Sequence, residues 1–236
     1  MKRLVLMVEG AGDAEAVPNL VSRLLKESGG ADALFVDPHP IQGAKVPTLI
    51  GRTGQPPMQW WHRQLGNAAK RRGLGAVLLI TDGDAGRVAH PEYRKRFGTD
   101  AFCARNVAWW LAGAARQAGG GTRFSVGIVF AIPEYEAWLL ASAHAFAGLQ
   151  PTRSAQPIAA GLTAPQDPES GRDAKRRLTQ LLGSYTERSD QVNLTQRPDR
   201  SAASASCRSF RRLERTVEQL IVAVRMDQHV VSPTAP

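Results

Sequence analysis

Three unbroken apolar runs set the pattern of the chain: Leu4 to Val8, Ala76 to Ile80, and Val126 to Ile132. Their length and their polar boundaries predict interior strands of a parallel sheet, covered on both faces. Each run stops at carboxylates. Glu9 follows the first, Asp82 and Asp84 the second, and Glu134 and Glu136 the third. Between the runs, apolar residues recur at helical spacing. Val17, Leu20, Val21, Leu24 and Leu25 predict a helix over 14–27; further helices are expected over 58–72 and 101–118. Asp13 is the expected N-cap of the first, and Pro18 fits best within its first turn.

Other stretches read less regularly. Ala33 to Val36 predicts a short strand, and 41–57 a loop rich in Gly and Pro. Lys70, Arg71 and Arg72 suit the last turn of a helix, where positive charge meets the carbonyl end. Residues 85–100 form a connection carrying Arg87, Arg94, Lys95 and Arg96, and Pro133 opens a helix that bears Glu134 and Glu136. Residues 148–170 resemble a linker or lid, 173–182 a short basic helix, and 183–205 a polar irregular stretch. Phe210, Leu213, Val217, Leu220, Ile221 and Val224 mark an amphipathic helix over 206–226, and the last ten residues look frayed. Strands alternating with helices give an α/β class. The expected organisation is an α/β core over 1–147, followed by a linker and helical extension over 148–236 that packs on it.

Charge changes this picture. The chain carries 30 Lys and Arg against 21 Asp and Glu, a formal net charge of +9, and the excess is spread along its length. Such a balance favours polyanionic partners, nucleic acid first, DNA ahead of RNA. No membrane span is expected, and the apolar N-terminal run is too short for a signal peptide, so the protein is expected in the cytoplasm. Cys103 and Cys207 have no metal or redox spacing and read as buried thiols. His39, His62, His90, His144 and His229 are scattered, which leaves no zinc cluster.

In open α/β sheets ligands bind beyond the carboxyl ends of strands. Asp82 and Asp84 would offer a hard cation two oxygen ligands on one loop, with Gly83 allowing a tight turn. Mg²⁺ or Mn²⁺ there could activate water and neutralise phosphate charge. The bland readings stay open: Asp-Gly-Asp as a plain turn, Glu136 as a helix-start acid, and Lys175 as part of a solvated face beside Arg176 and Arg177.

The order strand-Glu-Gly, helix, strand, helix, strand-Asp-x-Asp resembles the Toprim fold of topoisomerases, bacterial primases and OLD-type nucleases. Its Glu-Gly-x-x-Asp motif corresponds to Glu9-Gly10-Ala11-Gly12-Asp13, and its Asp-x-Asp to Asp82-Gly83-Asp84. Most of the chain is similar to a bacterial Toprim-like family, domain of unknown function 4276. That similarity runs through Glu136-Ala137-Trp138, the segment Asp173-Ala174-Lys175, and Cys207-Arg208-Ser209-Phe210. In the last two, this chain lacks the family's usual proline. The resemblance implies a Toprim-like Rossmannoid parallel sheet flanked by helices, with a C-terminal helical extension. It implies metal ligands Glu9, Asp82, Asp84 and Glu136 for one or two Mg²⁺ or Mn²⁺ ions. Glu9 doubles as general acid/base, and Lys175 would stabilise phosphate charge. Glu134 competes with Glu136, from another side of the helix.

The function so implied is a metal-dependent phosphodiesterase or nuclease, a phage-defence effector working beside an ATPase and compatible with a homodimer. Any ATP hydrolysis would be the partner's, since the chain has no Gly-x-x-x-x-Gly-Lys-Ser/Thr loop. The alternative is a non-catalytic subunit that binds nucleic acid or the ATPase. A third reading is a phosphatase or nucleotide hydrolase using the same metal site on a small substrate.

Overall fold

A computed structural model describes residues 1–234. Its sheet has six strands: β1 (Lys2–Val8), β2 (Leu34–Val36), β3 (Ile41–Gln42), β4 (Leu74–Asp82), β5 (Ser125–Ala131) and β6 (Val231–Ser232). All pairings are parallel, in the order β2-β1-β4-β5-β6, and β3 joins β1 near its carboxyl end. The three long strands are the three apolar runs. This is an α/β, Rossmann-like parallel sheet flanked by helices.

Alternation along each strand divides the core. Leu4, Leu6, Val8, Leu78, Ile80 and Val129 face one way. There they meet α1 (Ala11–Glu27), α6 (Glu136–Ala141), α7 (Ala174–Leu182), α8 (Glu187–Thr195), α9 (Arg200–Ser206) and α10 (Arg208–Arg225). Val5, Met7, Val77, Leu79, Ile128 and Phe130 face the other way. They meet α2 (Val46–Ile50), α3 (Gln59–Ala69), α4 (Pro91–Phe97) and α5 (Ala104–Gln117). The stripe of α10 buries Phe210, Leu213, Val217, Leu220 and Ile221. Each such side chain stabilises the fold by roughly 1.5–3 kcal/mol. Trp138 is core as well; its indole N–H donates to Ser209 Oγ at 2.7 Å.

Several elements differ from the sequence expectation. Pro18 lies well inside α1, which begins at Ala11. An interior proline costs about 3 kcal/mol, but Ala16, Val17, Leu20, Val21, Leu24 and Leu25 are all buried along the same helix, and that burial outweighs the cost. Gly10, not Asp13, is the N-cap. Asp13 Oδ2 instead accepts the Gly10 N–H at 3.1 Å, the return arm of a capping box, because glycine has no side chain to supply the other. Arg71 lies beyond the end of α3 and, with Arg3, pairs with buried Asp37 at 3.0 and 2.7 Å. The stretch 41–57 contains β3 and α2, and 85–100 contains α4.

The polar stretch 183–205 is two helices, α8 and α9. Asp199 caps α9, accepting from Ser201 N and Ala202 N at 2.9 and 3.1 Å. The chain end contributes β6 at the sheet edge, and Val231 is buried. Helices from beyond residue 148 share one apolar cluster with β1, β4 and β5. Cys103 is partly exposed, unlike Cys207.

Candidate functional site

The β1–β4 register pairs Met7 with Leu79, so Glu9 falls opposite Thr81, one step short of Asp82. Thr81 Oγ1 donates to the Ala44 carbonyl at 2.7 Å and lies 3.3 Å from Glu9 Oε2. Lys45, an exposed cation, stands 3.5 Å from Glu9 Oε1. Burial raises the Glu9 pKa; Lys45 lowers it, and Asp13 and Asp84 raise it again.

Asp82 is bound to the strand next door. Its Oδ1 accepts the Tyr135 N–H at 3.0 Å, just before α6. Burial holds its pKa well above the ordinary carboxylate value, reinforced in turn by Asp13, Glu9 and Glu136. Asp84 is exposed at the mouth. Gly83 between them does not have a positive φ. A side chain there would put Cβ 2.2 Å from Ile132 Cδ1 and 3.0 Å from the Ala131 carbonyl oxygen. The glycine is therefore required by close approach of the β5 end, not by a tight turn.

Glu136 lies in the first turn of α6 with only 4% of its surface exposed. Its Oε1 accepts from the Tyr185 hydroxyl at 3.0 Å. Burial pushes its pKa to about 7, against the Tyr185 bond and Lys175. Burial and then Glu136 raise the Tyr185 pKa, so the phenol stays protonated as donor. Glu134 turns elsewhere: its Oε2 accepts the Lys175 N–H at 2.9 Å. Lys175 Nζ pairs with Glu187. Burial would lower the lysine pKa, but Glu187, Glu136 and Glu134 raise it on balance.

Asp13 completes the group. It is buried, and its Oδ1 accepts from Gln191 Nε2 at 2.8 Å. Burial raises its pKa against the Gln191 and Gly10 bonds. Gly12 lets α8 come this close: a Cβ there would sit 2.4 Å from Gln191 Oε1 and 3.1 Å from the Glu187 carbonyl oxygen.

The structure thus brings Glu9, Asp82, Glu136 and Lys175 into one electrostatic neighbourhood, with Asp84 at its rim. Sequence reasoning assigned no role there to Lys45, Tyr185, Glu187 or Gln191, and placed Asp13 as a cap and as the last residue of the Glu-Gly-x-x-Asp motif without naming it a ligand. The signal for α8 was present as Thr186 followed by Glu187 and Asp190, an N-cap with acids in the first turn. The donors are hard oxygens and suit Mg²⁺ or Mn²⁺ in chemistry. Among the described residues, no three His, Cys, Asp or Glu side chains already converge as a metal cage. Among the same residues, no helix is long and apolar enough to cross a membrane.

No curated protein and no solved structure is significantly similar to the chain. A family model does match, over residues 8–218, which include every residue of this site. The chain belongs to the family described as Domain of unknown function (DUF4276).

Proposed function

We propose that the protein is a metal-dependent phosphodiesterase of Toprim type acting on nucleic acid, working beside an ATPase in phage defence. One observation carries this reading: half-buried Asp82, whose Oδ1 accepts the Tyr135 N–H at 3.0 Å, ends its strand beside Asp13, Glu9 and Glu136, and their negative charges add to the effect of burial in raising its pKa. Like charges gathered this closely destabilise one another, and a bound cation would offset that cost. The Toprim resemblance of Glu9-Gly10-Ala11-Gly12-Asp13 and Asp82-Gly83-Asp84 points the same way.

Glu9, Asp82 and Asp84 would hold Mg²⁺ or Mn²⁺, with Glu136 behind them. The ion would supply an activated water and charge neutralisation at the phosphate. Glu136 can hold or release a proton near neutrality, with its carboxyl oriented by Tyr185. Lys175 and Lys45 supply positive charge beside the carboxylates, for the phosphate oxygens. The net charge of +9 favours a polyanionic substrate over a small neutral one.

The test titrates Mn²⁺ and Mg²⁺ while thermal stability and plasmid integrity are followed together. Wild type is compared with the Asp82→Ala/Asp84→Ala double variant. Metal-dependent stabilisation and nicking are expected in wild type alone. Nicking undiminished in the double variant overturns the reading. Absence of both effects in wild type favours the second reading, a non-catalytic subunit binding nucleic acid or an ATPase.

A further inference from the structure

The ladder between β5 and β6 ends early. Val126 pairs with Val231 and Gly127 with Ser232, and β6 ends there, before Pro233. The Val126 N–H donates to Val230 and the Ile132 N–H reaches Ser209 Oγ, so the even-numbered residues of β5 direct their peptide groups to this edge. By the same alternation the Phe130 N–H and C=O face the part of the edge that β6 leaves open.

A cleft of about 700 Å³ lies along that edge, between α5 and the start of α10. Its floor is apolar: Ile128, Phe130 and Ile132, with Trp109 on one wall. Its rim is basic: Arg105, Arg208, Arg211 and Arg212. Among the described residues none of these four forms a salt bridge. Arg212 is half-buried and donates to Ser232 Oγ at 2.7 Å. Burial, then Arg215, lowers its pKa, as expected of a cation without a counter-ion. Arg105 stacks over the Trp109 ring at 4.9 Å, so a flat group and a guanidinium already share one wall.

Two acids, Asp167 and Glu169, also line the cleft. Glu169 is engaged by the first turn of α10, accepting from Arg208 N at 2.9 Å and Ser209 N at 2.7 Å. The amino end of that helix offsets its charge. An arginine excess therefore remains.

These features specify a ligand with a flat ring, polar ring-edge atoms and an anionic group. A free phosphate would leave the floor uncovered, and a fatty acid would leave the Phe130 peptide groups unused. We propose that this cleft binds a nucleotide, its base on Ile128, Phe130 and Trp109 and its phosphate on Arg105, Arg208 and Arg212. The nucleotide is either free or one unit of a single strand; the chemistry is shared. The site is distinct from the carboxylate cluster, and the segment 132–135 joins the two, since Ile132 lines the cleft and the Tyr135 N–H binds Asp82.

The test is calorimetric titration of the full chain in EDTA, which removes any metal-dependent event. The probes are AMP, GMP, CMP and UMP, with inorganic phosphate, adenosine and a deoxyadenosine tetranucleotide beside them. At least one monophosphate or the tetranucleotide should saturate, and phosphate and adenosine should bind at least tenfold more weakly. Arg105→Ala and Arg212→Ala should each weaken nucleotide binding about tenfold, the worth of a charge-assisted contact. Arg105 is exposed, so its variant keeps the fold. The Trp109 indole resonance should shift on binding. A strand ligand is indicated by a tetranucleotide that binds a hundredfold more tightly than AMP with the same arginine dependence. Equal affinities indicate a free nucleotide. No saturable binding of any nucleotide probe, or affinities unchanged in both variants, overturns the proposal and leaves metal-dependent nicking untouched.

Discussion

The carboxyl end of β4 and the open edge of β5 lie on either side of four residues, 132–135, and carry opposite charge. At β4, half-buried Asp82 and Glu9 share a neighbourhood with buried Asp13 and Glu136, and α8 packs on Asp13 and Gly12 through Gln191 and Glu187. At the β5 edge, guanidinium groups surround an apolar cleft that Asp167 and the docked Glu169 also line. The acids are held together by tertiary packing at a cost in electrostatic energy, whereas Arg105 and Arg208 are exposed and solvent keeps their cost low. Net charge alone hides this division, since a chain of +9 conceals its acids at the strand ends.

The sharpest way to separate the two regions is to neutralise a buried charge in one. Glu136 has a folded pKa of about 7 against an ordinary 4.5. The folded state therefore binds more protons than the unfolded state between these values, and stability falls as pH rises through that window. Glu136→Gln should stabilise the protein by roughly 2–3 kcal/mol at pH 8 and by almost nothing at pH 4. Denaturant midpoints at the two pH values check this; an equal change at both would mean that burial does not disfavour the ionised form of Glu136 as described.

Next in size is a change that opens the contact between α1 and α8. Gly12→Ala forces Gln191 and the Glu187 backbone away, and should cost about 1–3 kcal/mol. Chemical denaturation measures it. A neutral result would show that α8 floats over the acids. The smallest effect belongs to the arginine side. Glu169→Gln keeps hydrogen-bonding capacity but loses the charge at the amino end of α10. It should cost roughly 0.5–1 kcal/mol, and less in high salt. Thermal midpoints in low and high salt test the sign.

The three long strands and α10 were legible because each is written locally, as an apolar run or a helical stripe. Glu9, Asp82 and Asp84 were legible with them, since a carboxylate ending a buried strand has few places to go. What was not legible depends on partners far away in sequence. α8 buries Asp190, Gln191 and Thr195, polar residues whose burial is tolerated because Thr152, Asp13 and Tyr135 bind them. Thr186, Glu187 and Asp190 mark the start of this helix locally, but no window around residue 190 contains the partners that bury it. Glu136 was set apart from Glu134 only by its Glu-Ala-Trp motif; the separate partners, Tyr185 for Glu136 and the Lys175 N–H for Glu134, lie far away in sequence. β6 is two residues long, and its strand character comes entirely from β5.

An unpaired strand edge is a template on which another chain can crystallise its own backbone, the first step of fibrous aggregation. The stop at Pro233 leaves such a template along Ile128 to Phe130, a stretch of high β-propensity. The arginines around it repel the same edge of a second molecule and recess the strand between two helices. Replacing them with neutral side chains would remove that guard, so this rim protects the solubility of the chain whatever else occupies the cleft.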